Sequence, residues 1–342
     1  MASAILPALK NKYPNSRLIW LAEPVAASLL KGHPLIDKLI VLPRDEWKSM
    51  WKKKQYIRCF KAVSAFVKAL KREDIDLAID AQGLLKSGLW AWFSGAQQRV
   101  GLGSKEGSQY LMTELVERLP DDPEICSEYR DLANYLKLDT QQFFMSMPVD
   151  AADIKASQQT LIEHGLEPNL PYIVICPFTT RAQKHWIDQH WHTLFNQYLA
   201  KQPAQTVVLG GPGDLEPSKT LLEGIKQPEK IINMVGKTSL KQAAALIKSA
   251  QLLIGVDTGL THMGIAQQTP TLAIFGSTFP YKITNSPTAK VLYEQQECAP
   301  CRRKPSCQGA FTCMWQVTPE YVWLNAQQWL LGQTAKLSIS EL

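Results

Sequence analysis

Leu252-Leu253-Ile254-Gly255-Val256-Asp257-Thr258-Gly259-Leu260-Thr261-His262 is the stretch on which the reading of the fold turns. Residues 252–256 are apolar without polar alternation, the pattern of a strand buried on both faces of a parallel sheet. The run ends in an acid, a hydroxyl and a glycine, and a helix is predicted to start there. Ala266, Pro270 and Phe275-Gly276 follow, in the pattern of a helix leading to the next strand. The first N–H groups of such a helix lack intrahelical partners and can receive an anion such as a diphosphate. His262 falls on the first turn, facing the same pocket, where it can donate to a phosphate oxygen, more tightly when protonated. A plainer reading also fits, in which Asp257 or Thr258 caps the helix and His262 fills space.

Outward from this stretch the alternation repeats. Strands are predicted at 172–176, 206–209, 231–235, 252–256 and 271–275, with helices between them, and in the first half at 17–22, 38–42 and 75–80. A helix over about 54–72 separates the last two, with Phe60, Val63, Phe66, Val67 and Leu70 on one face. The fold class is therefore α/β, with two Rossmann-like, doubly wound halves. The length of 342 residues exceeds one ordinary core and agrees with two domains and a cleft between them. The expected division is 1–155, 156–320 and a C-terminal helix at 321–342. The polar segment 151–171 is the predicted linker, and the last helix opens with Thr318 as N-cap and Pro319 at its first position. Residues 1–11 already read as a helix with Ile5, Leu6 and Leu9 on one face, so the sequence begins inside a βα unit. The first strand of the N-terminal domain is expected to be missing from it.

The net charge of +6 is unevenly placed. Between Arg44 and Arg72 ten basic residues stand against Asp45 and Glu46, a local +8, and the remainder sums to −2. A basic patch on a near-neutral body points to an anionic partner: nucleic acid, an acidic membrane surface, or a phosphorylated or carboxylated substrate. Trp47 and Trp51 lie within it and can pack on a sugar, sit at a membrane interface, or anchor a core at i, i+4 spacing. No apolar run reaches the roughly 18 residues that span a bilayer, and no signal peptide opens the sequence, so a cytoplasmic protein is expected. Seven Cys, three of them isolated (Cys59, Cys126, Cys176), argue against a disulfide framework.

Further motifs end other strands. Thr179, Thr180, Arg181, Lys184 and His185 follow the strand at 172–176, and hydroxyls with cations suit phosphate binding, although Arg181 and Lys184 also read as solvated loop charges. Gly210-Gly211-Pro212-Gly213-Asp214 is not a dinucleotide fingerprint, but Asp214 or Glu216 can bind ribose hydroxyls; a simple turn fits equally. Asp80-Ala81-Gln82-Gly83 ends a strand of the first half, where Asp80 can orient a hydroxyl, act as a base, or cap a helix. Cys298, Cys301, Cys307 and Cys313 fall within sixteen residues, compatible with a metal site or a redox-labile loop. HExxH, GxxxxGK[ST] and GxSxG do not occur.

Together the segments 257–262, 179–186 and 80–84 resemble bacterial lipopolysaccharide heptosyltransferases of glycosyltransferase family nine, and the 80–84 segment is most similar to the type I enzymes. The cysteine-bearing tail at 298–319 is similar to a segment of many members. The resemblance implies a GT-B fold, a last helix crossing back to the first domain, and heptose transfer from ADP-L-glycero-D-manno-heptose to a Kdo-lipid A type acceptor in Gram-negative lipopolysaccharide inner-core synthesis. It implies donor contacts at Thr179, Thr180, Lys184, Asp257, Thr258, Gly259 and His262, and at Asp214 or Glu216. Acceptor contacts are implied at Lys48, Lys52, Lys53, Lys54, Asp80 and Gln82. No cofactor or metal is expected. Nor is nucleic-acid binding, and the implied protein is a monomer peripheral to the cytoplasmic face of the inner membrane. The family's general base, an Asp in a Gly-Asp pair after the first strand, is not among these residues; Asp80 is the remaining candidate. Another sugar or acceptor, or a binding protein without transferase activity, are the alternatives.

Overall fold

The computed structural model describes residues 1–119, 122–278, 281–301 and 304–340. The chain forms two compact units, Met1–Asp122 with Cys126–Phe144, and Pro123–Ile125 with Met145–Leu342.

In the first unit, α1 (Ile5–Lys12) buries Ile5, Leu6 and Leu9 as their spacing predicts. It leads to β1 (Ile19–Ala22), α2 (Pro24–Leu30), β2 (Lys38–Val41), α3 (Arg44–Lys52), α4 (Tyr56–Lys71) and β3 (Leu77–Asp80). Then come α5 (Leu85–Phe93), β4 (Gln98–Leu102), β5 (Glu114–Val116) and α6 (Ser127–Tyr135). All the pairings are parallel, but they form two sheets, β1-β2 and β3-β4-β5. Strands β4 and β5 were not expected: one opens with Gln98-Arg99, the other has three residues, and neither carries a continuous apolar run. The predicted face of α4 also needs correction. Cys59 and Leu70 are its buried residues, with Val63 and Phe66 beside them, whereas Phe60 is 76 % exposed. One residue turns a helix by about 100°, which carries Phe60 off the inner stripe that Cys59, Val63, Phe66 and Leu70 share.

The second unit follows with α7 (Ala151–Glu163), β6 (Tyr172–Cys176), α8 (Asp188–Thr193), β7 (Gln205–Val208), α9 (Leu215–Glu223) and β8 (Ile231–Asn233). It continues with α10 (Leu240–Ser249), β9 (Leu252–Val256), α11 (Gly259–Ala266), β10 (Thr271–Ile274), β11 (Ala289–Leu292), α12 (Thr312–Gln316) and α13 (Pro319–Ser340). One six-stranded parallel sheet runs β11-β10-β9-β6-β7-β8. Every residue of β6, β7, β9 and β10 is buried, as a sheet covered on both faces requires. The order places β6 at the centre, with its chain neighbour β7 on one side and β9 on the other. Among the described residues of the first unit, no strand ties β1-β2 to β3-β4-β5 in this way.

The division falls after Phe144, ahead of the expected 155/156. The reason is α7: this helix, read as linker, packs along α10 and belongs to the second unit. Lys241 of α10 pairs with Asp153 at 2.8 Å and Asp150 at 3.5 Å. Thr318 caps α13 as expected, its hydroxyl accepting from the Tyr321 N–H at 3.2 Å. Val322, Trp323 and Ala326 of α13 join the second unit's core; residues 341–342 of the expected helix lie outside the described residues. No described helix is long and apolar enough to cross a membrane.

Close approach of α11 to the sheet fixes one glycine. A Cβ on Gly255 meets the Thr261 hydroxyl and the Cys176 Cβ. Gly255→Ala is therefore expected to cost about 1–3 kcal/mol, read as a lower urea midpoint with the m-value unchanged; an unshifted midpoint contradicts this packing.

Candidate functional site

The loops after β6, β7, β9 and β10 leave the same carboxyl edge of the second unit's sheet, the edge where open α/β sheets bind ligands. At their meeting point stands Asp257. Its Oδ2 accepts from Lys184 Nζ at 2.5 Å and from the Thr278 hydroxyl at 2.7 Å, and its Oδ1 lies 3.3 Å from His262 Nε2. Burial alone pushes this carboxyl up, but the hydrogen bonds from His262, Lys184 and Thr278 outweigh it and hold Asp257 well below the usual carboxylate range. Asp257 thus stays charged, and one side chain joins segments that enter from β6, β9 and β10.

Local structure explains how each donor arrives. Lys184 ends a single 3-10 turn, Ala182–Lys184, whose loop is tied by His185 Nε2 against the Thr179 carbonyl at 2.8 Å. Behind it, Trp186 is buried, donates to the Val317 carbonyl at 2.8 Å and packs edge-on against Trp191. His262 sits on the first turn of α11, 6.4 Å from the Phe275 ring and 6.3 Å from Tyr281, centroid to centroid. Its Nδ1 is buried and has no hydrogen bond among the described residues, as does the Ser277 hydroxyl just past β10.

Thr179 is half-buried and Thr180 exposed, beside Lys184 in the same loop. Gly259, the first residue of α11, faces open space where a Cβ would point, so its backbone is accessible to a ligand. Two hydroxyls, an ammonium, an imidazole and a helix N-terminus together suit a diphosphate. A cavity of about 480 Å³ opens beside this loop, lined by Phe178, Trp186, Trp191 and Phe311 with His185, Asp188 and Thr220 as polar members. Its aromatic walls suit a flat apolar group better than a phosphate.

After β7, Asp214 folds back on its own loop: Oδ2 accepts from the Gly211 N–H at 2.8 Å. Glu216 is exposed and pairs with Lys219 one turn on, at 2.7 Å. Of the two acids considered for a ribose, Asp214 is the one fixed at the strand end.

In the first unit Asp80 organises a turn. It is buried, with Oδ1 accepting from the N–H groups of Gln82 (3.0 Å) and Gly83 (3.1 Å) and Oδ2 from the Ser87 hydroxyl (3.0 Å). Those bonds build the turn at the end of β3, the capping role that its position also suggested. Gly83 has φ +71°, and a Cβ there would strike the carbonyls of Leu102 and Gly103, so only glycine fits the turn. Arg118 clamps the same turn from outside, donating to the carbonyls of Ala81 (3.2 Å) and Gln82 (3.1 Å) while pairing with Glu128 at 2.5 Å. At the neighbouring strand ends, Glu23 receives Arg44 at 2.8 Å and Lys86 at 3.4 Å. Lys48, Lys52, Lys53 and Lys54 are gathered on α3 and the turn after it; Lys48 pairs loosely with Asp45 at 3.6 Å.

The Glycosyltransferase family 9 (heptosyltransferase) profile matches residues 63–311. The chain belongs to glycosyltransferase family 9. Lipopolysaccharide heptosyltransferase 1 of Pseudomonas aeruginosa is 27% identical over 320 residues, which cover 92% of this chain and 84% of that one. Among solved structures, a glycosyltransferase family 9 protein from Veillonella parvula superposes with a TM-score of 0.78 at 22% identity, over 97% of this chain and 93% of that one. An Escherichia coli heptosyltransferase solved with ADP-2-deoxy-2-fluoro heptose gives 0.65 at 22% identity, over 96% of both chains. These likenesses identify the fold as GT-B.

Within this family frame, Thr278 and Arg118 are the residues that the motifs did not single out. Thr278 follows the noted Phe275-Gly276 by two residues, and a hydroxyl just past a strand end was the signal. Arg118 had none, since it lies in a loop without motif character. The four clustered cysteines are free thiols, with Cys298 exposed and Cys313 buried. Among the described residues, no group of three or more His, Cys, Asp and Glu side chains is arranged to hold a metal ion.

The lowered pKa of Asp257 has a definite sign. Folding favours its charged form, so it contributes stability in full above the ordinary carboxyl value near 3.8, and this is lost as pH falls toward the folded value. Wild type is expected to lose stability more steeply than Asp257→Asn between about pH 5 and pH 2 in urea titrations. Parallel curves would show that the carboxylate is not held this way.

Proposed function

We propose that this family 9 protein is an inverting heptosyltransferase of the lipopolysaccharide inner core, taking heptose from ADP-L-glycero-D-manno-heptose to a Kdo-lipid A type acceptor. The observation that carries the donor half is the Lys184–Asp257–His262–Thr278 cluster at the mouth of α11, beside the hydroxyls of Thr179 and Thr180. Lys184, His262, the two threonine hydroxyls and the free N–H groups at Thr258 and Gly259 receive the diphosphate. The bond between the anomeric carbon and the phosphate oxygen breaks as the bond to the acceptor oxygen forms on the opposite face. ADP leaves with the electron pair, and the acceptor proton passes to a base. Donors held together at this sheet edge stabilise the charge that grows on the departing diphosphate. Asp257 contributes by orienting Lys184 and His262, and Asp214 is placed to hold the ribose.

The acceptor half rests on Lys48, Lys52, Lys53 and Lys54, whose charges match Kdo carboxylates and lipid A phosphates, with Gln82 at the turn that Arg118 clamps. The turn-building role of Asp80 favours a second reading as well, a donor-binding protein without transfer. Measuring ADP-heptose binding and heptose transfer by the same preparation separates the two.

Lys184→Ala is expected to weaken ADP binding about 10- to 100-fold, the worth of a charge-assisted hydrogen bond. Calorimetric titration with ADP reads it directly. Replacing Lys52, Lys53 and Lys54 by Ala should leave ADP binding unchanged and raise the KM for acceptor. A loss of ADP affinity in that triple variant would overturn the division of the two substrates.

A further inference from the structure

The corner where α3 meets α4 carries exposed apolar side chains that neither the acceptor contacts proposed above nor the core explains. Ile57 and Phe60 are each 76 % exposed, Trp51 63 % and Tyr56 49 %. The inner face of α4 does not need them: Cys59 and Leu70 are buried, and Phe66 packs on Trp47 and Trp90 inside the unit. Trp47 and Trp51, read alike from the sequence, therefore separate. Trp47 is a core anchor at 5.4 Å from Phe66, and Trp51 lies outside, edge-on to Tyr56 at 4.8 Å. On α4, Ile57 and Phe60 are neighbours at i, i+3.

Lys52, Lys53, Lys54, Arg58 and Lys61 surround these four residues, and no acid occurs from Trp47 to Arg72. All five cations are exposed, and among the described residues none is paired with a carboxylate. A solvated helix face carries mixed charges and few aromatics; this one carries a single sign and an exposed aromatic array. We propose that the α3–α4 corner is a membrane-docking surface. Trp51, Tyr56, Ile57 and Phe60 enter the interfacial region of a bilayer, and the five cations engage anionic phospholipid headgroups. Aromatic rings belong at that depth, and long basic side chains bury their stems there while the charge stays in water. Charge also decides against a second copy of this chain as the occupant. A two-fold contact through this patch would set five unpaired cations against five.

The biological sense of this surface rests on the lipid-linked acceptor proposed above, but its test does not. The full chain is sedimented with vesicles of phosphatidylethanolamine and phosphatidylglycerol in equal parts, and with vesicles of phosphatidylcholine alone. The expected result is binding to the anionic vesicles only, weakened by salt. Removing three charges in K52A/K53A/K54A should reduce that affinity about 100-fold, and I57S/F60S about tenfold or more. Both positions are exposed, so circular dichroism should show the I57S/F60S fold intact. On a deacylated, water-soluble acceptor this variant should transfer as the parent does.

Equal binding to both vesicle types, no binding, or variants that sediment like the parent would overturn the proposal. So would concentration-dependent self-association abolished by F60S without vesicle binding, which would make the patch a contact between copies. Anionic vesicle binding by a parent that transfers no heptose sustains the docking surface and removes the transferase reading alone.

Discussion

Asp257 is one carboxylate on which three loops depend. Lys184 comes from the segment after β6, Thr278 from the segment after β10, and His262 from the helix that Asp257 itself precedes. Burying a charge this deeply is unfavourable unless it is paired and hydrogen-bonded on both oxygens, and here it is. The dependence runs the other way too. Without Asp257, a half-buried ammonium would lose its counter-charge, and breaking such a pair from one side costs more than forming it yields. The cluster also sets how an anion is received. Lys184 and Asp257 balance in net charge, so under the proposed function Lys184 offers a diphosphate a directed hydrogen bond, and the N-terminus of α11 and the hydroxyls of Thr179 and Thr180 add to it. The carboxylate orients Lys184 and His262.

What could be read in the sequence follows from burial. β6 and β9 were legible residue for residue because each is an unbroken apolar run in a sheet covered on both faces. β4 and β5 were not, because Gln98, Arg99 and Glu114 stand where the first unit is more open to solvent. Asp257, Lys184 and His262 were each legible as chemistry. The bond from Lys184 to Asp257 was not, since 73 residues separate them and only the strand order brings them together. Asp80 shows the reverse limit: hydroxyl anchor, base and cap are all open to an acid at a strand end, and only its three hydrogen bonds show it building the turn.

Strand order also distinguishes the two units physically. In the second, β6 is flanked by two strands, and the core that grows around it includes Ile173, Ile175, Ile254 and Trp186. In the first, a pair and a triplet of strands are held by helices and by polar ties at their ends, Glu23 with Arg44 and Lys86, and Arg118 over the turn of Asp80. Ties of this kind are partly exposed and individually weak, whereas fully buried strands are strong. The loops that carry the Asp257 cluster thus stand on the more heavily packed sheet, which favours accurate placement of its side chains.

The charge distribution then separates into two kinds of use. At the Asp257 cluster positive charge is placed singly, beside an acid that fixes it. At the corner of α3 and α4 it is accumulated without acids and interleaved with Trp51, Ile57 and Phe60. Fully exposing an Ile or Phe forgoes about 1.5–3 kcal/mol of burial, and a chain with a sufficient inner face on α4 has no packing reason to accept that. Like-charged neighbours further oppose closing the patch on itself. An exposed apolar array that cannot be closed by its own fold or by a second copy is satisfied by an anionic, apolar phase, and a lipid-linked acceptor resides in one.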